Sequence, residues 1–168
     1  MPKLQSFKKL ERRLVRDARP LTTAKTSARM ARVRRTGTAP EVQVRRYLSS
    51  LGIRYRTRNR DLPGAPDLAN RSKKWALFVH GCFWHQHEQC KSATMPKTNQ
   101  SFWRAKFTAN RIRDARACQL LENMGYSVKT IWECQTRGFA TIGKAVGRLP
   151  QASKAKRRSR RIPDAKPP

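Results

Sequence analysis

All three histidines of this 168-residue chain lie in one short segment, residues 79–90, together with two of its four cysteines. The segment reads VHGCFWHQHEQC. Zinc prefers four tetrahedral ligands drawn from cysteine and histidine, and Cys82, His87 and Cys90 offer three of them within nine positions. The fourth ligand must come from elsewhere, so a zinc site here would tie this segment to a distant part of the chain.

Two cysteines remain as candidates for the fourth ligand. Cys134 follows a predicted strand, whereas Cys118 lies inside a predicted helix next to its apolar positions. We therefore predict Cys134 as the ligand and Cys118 as an ordinary buried thiol. The alternative is that all these cysteines are buried thiols. Metal binding is favoured over disulfides because the cysteines share the chain with clustered histidines.

Two imidazoles are left over if Cys82 and His87 bind the metal. His80 and His85 then flank the zinc loop, and a histidine in such a position can accept a proton from water near neutral pH. The alternative is that both are structural histidines or further zinc ligands. Spacing alone does not separate these interpretations.

A carboxylate stands near the same loop in the predicted sheet. Asp67 begins a short strand after Pro66, and the following strand ends at Val79 and His80. Its oxygens suit a hard cation such as Mg²⁺. The alternative is that the Pro-Asp pair does no more than form a turn.

Several large side chains are candidates for contacts with nucleic acid bases. Phe83 and Trp84 lie between metal-associated stretches, and Trp103 follows a polar linker. Aromatic side chains of this kind can stack on bases or wedge between them, although large aromatics also fill cores. Met30, among arginines, suits a groove contact, with helix packing as the alternative.

The net charge limits the choice of partner. The chain carries 39 basic and 10 acidic residues, a formal charge of +29, so a polyanion is the expected partner. No apolar run approaches the roughly 20 residues of a membrane-spanning helix, which favours nucleic acid over a membrane. The first 20 residues lack the features of a secretory signal, and we expect a cytoplasmic protein.

The charge distribution predicts one domain between two tails. Residues 1–22 and 147–168 are dense in charge and contain few large apolar residues, so we predict both as basic disordered tails. Residues 23–146 then form the single domain.

The first firm helix begins at Thr38, where Glu41 completes a capping box, and Gly52 ends it. Its apolar stripe has the helical spacing of Val44, Tyr47, Leu48 and Leu51. Glu41 lies three residues before Val44, so its carboxylate should face whatever the helix packs on.

The remaining pattern predicts an α/β arrangement around a mixed sheet. Alternation in residues 53–56 indicates a strand. A hairpin follows in residues 67–79, then a helix that carries Ala117, Leu120, Leu121 and Met124 and stops at Gly125. Residues 126–132 read as a buried strand.

These motifs together resemble the very short patch repair endonucleases, which are mismatch-directed nicking enzymes of the restriction-endonuclease-like fold. The resemblance extends from about residue 23 to residue 138. It includes the stretches DLPGAPD (61–67), VHGCFWH (79–85), Phe102-Trp103 and Trp132-Glu133-Cys134. The loop at residues 80–85 is its most specific motif. The resemblance implies a nick on the 5′ side of the thymine in a T:G mismatch left by deamination of 5-methylcytosine.

The resemblance also implies catalytic roles. Asp67 would be a magnesium ligand, His85 the general base and His80 a companion polarising or positioning group. Glu41 would hold the site from the first helix. Some members carry threonine where this chain has Val79, and a backbone carbonyl there can serve as the second magnesium ligand.

The remaining implied roles concern zinc, DNA and partners. Cys82, His87, Cys90 and Cys134 would bind the structural zinc, in agreement with the spacing. Phe83, Trp84 and Trp103 would insert from the major groove and Met30 from the minor groove. We expect a monomer associated with the nucleoid, acting on double-stranded DNA with a T:G mismatch, with mismatch-repair proteins as candidate partners.

Two rival functions fit the same residues. One is a zinc-stabilised DNA-binding protein without catalysis, in which the histidines are structural. The other is a restriction-type nuclease with a different substrate.

Overall fold

The computed structural model describes residues 22–34 and 36–149, together with residues 9, 12, 13 and 15–18. Most of the predicted tails, residues 1–22 and 147–168, therefore lie outside the described residues. In the described part of the chain, no helix is long and apolar enough to cross a membrane. The elements are α1 (Ala24–Ala31), α2 (Ala39–Ser50), β1 (Leu68–Asn70), β2 (Trp75–His80), α3 (Cys82–His85), α4 (Gln100–Asn123), β3 (Ser127–Trp132), a 3-10 turn (Glu133–Thr136) and α5 (Phe139–Val146).

A three-stranded mixed sheet with the order β1-β2-β3 organises the fold. β1 pairs antiparallel with β2, with Leu68 opposite Leu77. β2 pairs parallel with β3, with His80 opposite Trp132 at the end of the ladder. The predicted mixed α/β arrangement is confirmed. Successive side chains of a strand point to opposite faces, and an almost wholly apolar β2 is accordingly covered on both.

Each face of the sheet has its own core. One face packs against α2 and α5, and its buried residues are Val44, Leu48, Leu68, Trp75, Leu77, Ile131, Ile142, Val146 and Leu149. The other face packs against α4, with Leu62, Ala69, Ala76, Phe78, Ala117, Leu121 and Tyr126. Leu149, which the sequence pattern assigns to a tail, is 2% exposed.

The strand predicted for residues 53–56 is wrong. Only an isolated bridge forms there, between Arg56 and Ala69. The ladder stops because the side chain of Asn70, not a backbone N–H, donates to the carbonyl of Arg54 at 2.8 Å. The last strand also starts one residue late, since the N–H of Tyr126 donates to the carbonyl of Leu121 and closes the end of α4.

A compact turn over residues 59–66 delivers Asp67 to the start of the sheet. Asn59 is 1% exposed, and its Nδ2 donates to the carbonyls of Arg56 and Pro66, each at 2.9 Å. Gly64 adopts φ +72°, and a Cβ at this position would collide with the Cβ of Ala117 on α4. The turn therefore depends on glycine both for its backbone conformation and for its close approach to α4.

We expect Gly64→Ala to lower the free energy of unfolding by about 2–4 kcal/mol, because left-handed strain and overpacking add. Gly52→Ala is the matched control: Gly52 has φ +66° but open space around its Cβ position, so only strain of about 1 kcal/mol applies. Urea unfolding of both variants measures the difference. Equal losses would show that the contact with α4 is unimportant.

Candidate active site and metal centre

The four predicted zinc ligands lie together although Cys134 is far from the others in sequence. The ligand atoms of Cys82, His87, Cys90 and Cys134 are all within 4.8 Å of one another. His87 Nδ1 lies 3.7 Å from the sulfur of Cys82 and 3.4 Å from that of Cys134. Three sulfur donors and one nitrogen donor are a set that zinc favours in structural sites. This cluster, called the Cys/His cluster below, could hold a metal ion.

Local backbone conformation gathers these ligands. Gln86 ends α3 in the left-handed region with φ 50°, and Gln89 has φ 58°, so the chain reverses sharply before His87 and again before Cys90. Cys134 arrives from the other side in the 3-10 turn that follows β3. The carboxylate of Glu133 accepts a hydrogen bond from the N–H of Cys82 at 3.3 Å, which joins the two segments.

The thiols of the cluster have unequal environments. Burial raises the pKa of Cys82 to about 12. Hydrogen bonds from the backbone of Ser92 and from His87 lower the pKa of Cys90 to about 7. Metal binding requires thiolates, so a bound cation would offset the cost of ionising Cys82. Cys118 lies on α4 outside the cluster, and burial raises its pKa.

A second cluster joins two predicted catalytic residues to one that the sequence analysis missed. The rings of His80 and His85 stack 3.8 Å apart with an interplanar angle of 8°. His85 Nδ1 is hydrogen-bonded to Asp114 Oδ2. These three residues border a cavity of about 460 Å³, which Cys118 also lines. The arrangement can hold one imidazole in a fixed orientation at an open site.

Asp114 has a weak signature in the sequence. It precedes Ala117 by three residues and Leu121 by seven, so it is an acidic residue on the apolar stripe of α4. Glu41 shows the same signal relative to Val44 in α2.

His80 is buried at the end of β2, with 8% exposure. Burial, with a smaller contribution from His85, lowers the pKa of His80 to about 4. His80 is therefore a neutral imidazole at pH 7, and it can stack on His85 without charge repulsion.

Asp67 contacts the backbone next to His80. Its Oδ2 accepts a hydrogen bond from the N–H of Val79 at 2.7 Å. Burial raises the pKa of Asp67 to about 6, and the Glu41 carboxylate acts in the same direction, whereas Arg45 opposes it. Because a buried carboxylate is costly to ionise without a partner, a cation bound beside Asp67 would stabilise its charged form. In the described residues, neither carboxylate belongs to the two compact ligand clusters.

The carboxylate of Glu41 is already fully engaged at the start of α2. It accepts hydrogen bonds from the N–H of Gly37 at 2.9 Å and from the N–H and hydroxyl of Thr38 at 3.3 and 2.9 Å. Arg45 donates to it at 2.8 Å. The predicted helix start is confirmed, and the contacts of Glu41 are those of a capping residue that sits near Asp67.

The aromatic residues predicted to contact DNA bases form one group, and this group packs on a buried aromatic ring. Phe83 lies 5.1 Å from Trp84 and 5.3 Å from Trp103, between ring centres. Phe107, 2% exposed, supports Phe83 from α4 at 5.3 Å. The three outer rings are partly exposed, so they both pack and present a surface. Met30 lies apart in sequence on α1, a helix without buried residues.

Comparison with known proteins shows that this chain is similar to nicking enzymes and other DNA endonucleases. The chain is 43% identical over 113 residues to the type II nicking enzyme V.XorIIP of Xanthomonas oryzae pv. oryzae, covering 67% of this chain and 82% of the relative. It is 38% identical over 128 residues to the type II nicking enzyme V.NmeAIP of Neisseria meningitidis serogroup A, covering 76% and 91%.

The family is defined by two further matches. Residues 19–92 match the family model described as DNA mismatch endonuclease Vsr. The chain is 35% identical over 115 residues to the DNA mismatch endonuclease Vsr of Escherichia coli K12, covering 68% of this chain and 73% of the relative. The chain belongs to the Vsr family of DNA mismatch endonucleases.

We expect Cys134→Ser to lose bound zinc and to unfold at a lower temperature, because a three-ligand remnant holds the metal weakly. Cys118→Ser, a matched thiol outside the cluster, should keep one zinc per chain. Metal analysis of the purified variants, with thermal unfolding, measures both effects. Full zinc in Cys134→Ser with depletion in Cys118→Ser would overturn the ligand assignment.

Proposed function

We propose that this endonuclease nicks one strand of duplex DNA on the 5′ side of the thymine in a T:G mismatch, by magnesium-dependent hydrolysis of a phosphodiester. The mismatch would arise by deamination of 5-methylcytosine. The observation that carries the proposal is the hydrogen-bonded His85–Asp114 pair, open to a cavity and stacked on His80, in a member of the Vsr family.

His85 is the proposed general base. The carboxylate of Asp114 accepts a hydrogen bond from His85 Nδ1, which leaves Nε2 without a proton and able to take one from the attacking water. The resulting imidazolium is stabilised by the same carboxylate. The stacked ring of His80, neutral at pH 7, keeps His85 from tilting and polarises groups at the scissile phosphate.

Asp67 and the main-chain carbonyl of Val79 are the proposed magnesium ligands. The raised pKa of Asp67 and the adjacent Glu41 carboxylate support a cation there, and oxygen donors suit magnesium. Bound magnesium would supply Lewis-acid stabilisation of the phosphate and of the leaving 3′ oxygen. Glu41, which caps the start of α2 and pairs with Arg45, would hold α2 against this group.

The Cys/His cluster has a proposed structural role with zinc. Its four donors join the loop of residues 82–90 to the segment after β3. This closure fixes the flanking residues, so His80 and His85 stand on a rigid support.

Selection of the mismatch is assigned to the aromatic surface. Phe83, Trp84 and Trp103 would enter from the major groove and Met30 from the minor groove. A T:G wobble pair unstacks at lower cost than a Watson-Crick pair, so wedging side chains distinguish the two by deformation energy. Arginine and lysine, which give the chain its +29 charge, would bind the phosphates.

The wider setting follows the same proposal. We assign the mixed sheet to the restriction-endonuclease-like fold. We also propose that the protein is a monomer that acts on nucleoid DNA in the cytoplasm. Mismatch-repair proteins are its candidate partners.

The deciding experiment is a nicking assay on end-labelled duplexes that differ at one base pair, T:G against T:A and C:G. We expect one nick 5′ to the mismatched thymine with Mg²⁺ and none with EDTA. Binding without a nick would support the non-catalytic rival. Cleavage of the matched duplexes at the same rate would support a nuclease with another substrate.

We expect His85→Ala to lower the single-turnover nicking rate by about 10²- to 10⁴-fold, because general-base help is worth that much. Asp67→Ala should abolish nicking, and Asp114→Asn should slow it less than His85→Ala. Rates are measured with enzyme in excess and Mg²⁺ saturating. Cys118→Ser, which lines the same cavity, is the control and should nick normally. A parent-like rate in His85→Ala would refute its role.

We expect Phe83→Ala and Trp84→Ala to lower the preference for T:G over matched duplex by roughly tenfold or more, because each lost stacking contact is worth about 1–3 kcal/mol. Competition binding with the two duplexes measures this ratio. Phe139→Ala removes an aromatic that is 48% exposed on α5 and should leave the ratio unchanged. An unchanged ratio in both loop variants would assign those rings to packing alone.

A further inference from the structure

One side chain lies between the Cys/His cluster and the catalytic histidines. The indole of Trp132 stacks on the imidazole of His87, with ring centres 4.2 Å apart and an interplanar angle of 9°. The same indole meets His80 edge to face, at 5.6 Å and 73°. His80 in turn stacks on His85. A continuous series of ring contacts therefore runs from a cluster ligand to the proposed general base.

The strand pairing fixes this position. Trp132 is the last residue of β3, directly opposite His80 in the parallel ladder with β2. Two residues later the chain supplies Cys134 to the cluster. Trp132 is thus held by the sheet on one side and by the cluster on the other, and it also lines the cavity that contains His85 and Asp114.

We propose that Trp132 is a positioning residue. Through Trp132, the orientation of His80 and His85 depends on how the Cys/His cluster binds a metal ion. This inference rests on the proposed function of the two histidines. A histidine that binds a metal must aim its ring plane at the ion, so His87 becomes fixed on coordination. Its stacked neighbour Trp132, which is held by the strand pairing and by the contact with His87, is then restricted as well, and the edge contact restricts His80.

Trp132 would affect catalysis by fixing the positions of the reacting groups. A displacement of about 1 Å at a reacting group can cost about 10²-fold in rate. Removal of the indole should therefore slow nicking even while the cluster keeps its metal and the aromatic surface keeps its DNA. A role of Trp132 in folding alone predicts a different result, in which zinc, stability and DNA binding fall together.

The first test compares Trp132→Leu, which removes both ring contacts, with Trp132→Phe, which keeps a ring. We expect one zinc per chain and parent-like affinity for T:G duplex in both variants. The single-turnover rate should fall on the order of 10²-fold in Trp132→Leu and by less in Trp132→Phe. A parent rate in Trp132→Leu, or equal rates in the two variants, would overturn the proposal.

The second test reads the coupling without catalysis. Cd²⁺, a larger ion that also prefers thiolates, replaces Zn²⁺ in the folded protein, and NMR follows the imidazole resonances of His80 and His85. We expect the exchange to shift these resonances in the parent, hardly at all in Trp132→Leu, and by an intermediate amount in Trp132→Phe. The last variant keeps the test decisive if Trp132→Leu fails to fold.

Phe78→Leu is the matched control for the second test. Phe78 is another ring neighbour of His80, at 5.7 Å, but it belongs to the core that packs against α4. This variant should keep the full response to metal exchange. An undiminished response in both Trp132 variants would overturn the coupling. Failure of the parent to nick a T:G duplex would contradict the proposed function instead, and the resonance response would still decide the role of Trp132.

Discussion

The parallel pairing of β2 with β3 is the constraint on which the site depends. It sets the last residue of one strand against the last residue of the other, His80 against Trp132. Both strands end at the same edge of the sheet, so the loop after β2 and the turn after β3 lie side by side. A shift of one residue in this register would turn every side chain of the shifted strand to the opposite face. It would also separate Cys134 from the rest of the Cys/His cluster.

The sheet also explains why the two acidic groups near the site have different surroundings. Asp67 enters at the start of β1, where burial weakens its solvation and raises its pKa. Asp114 comes from α4 on the opposite side and is paired with His85. The two carboxylates therefore suit different tasks, one toward a cation and the other toward an imidazole. The two carboxylates are kept apart because Asp67 directly precedes β1 and Asp114 lies on α4.

Much of the site was predictable because its residues are close together in sequence or directly follow a recognisable turn. The run of residues 79–90 has the ligand spacing of a metal site, and the turn before Asp67 predicts that a strand begins there. Asp114 was missed because it lies in the middle of a helix, 29 residues from His85, and no local pattern connects the two. The strand predicted for residues 53–56 failed because alternation does not reveal that Asn70 satisfies the neighbouring carbonyl with its side chain. Contacts made across the fold are those that a single sequence conceals.

The length of α4 has a consequence for accuracy of cutting. This helix runs unbroken for 24 residues, with Trp103 near its beginning and Asp114 eleven residues further on. At 1.5 Å per residue, about 16 Å of rigid helix separates the two. The aromatic group proposed to contact a distorted base pair and the carboxylate proposed to orient His85 are thus held on one rigid helix. Because the helix fixes the distance between these two groups, it would also fix how far the proposed nick lies from the distorted base pair.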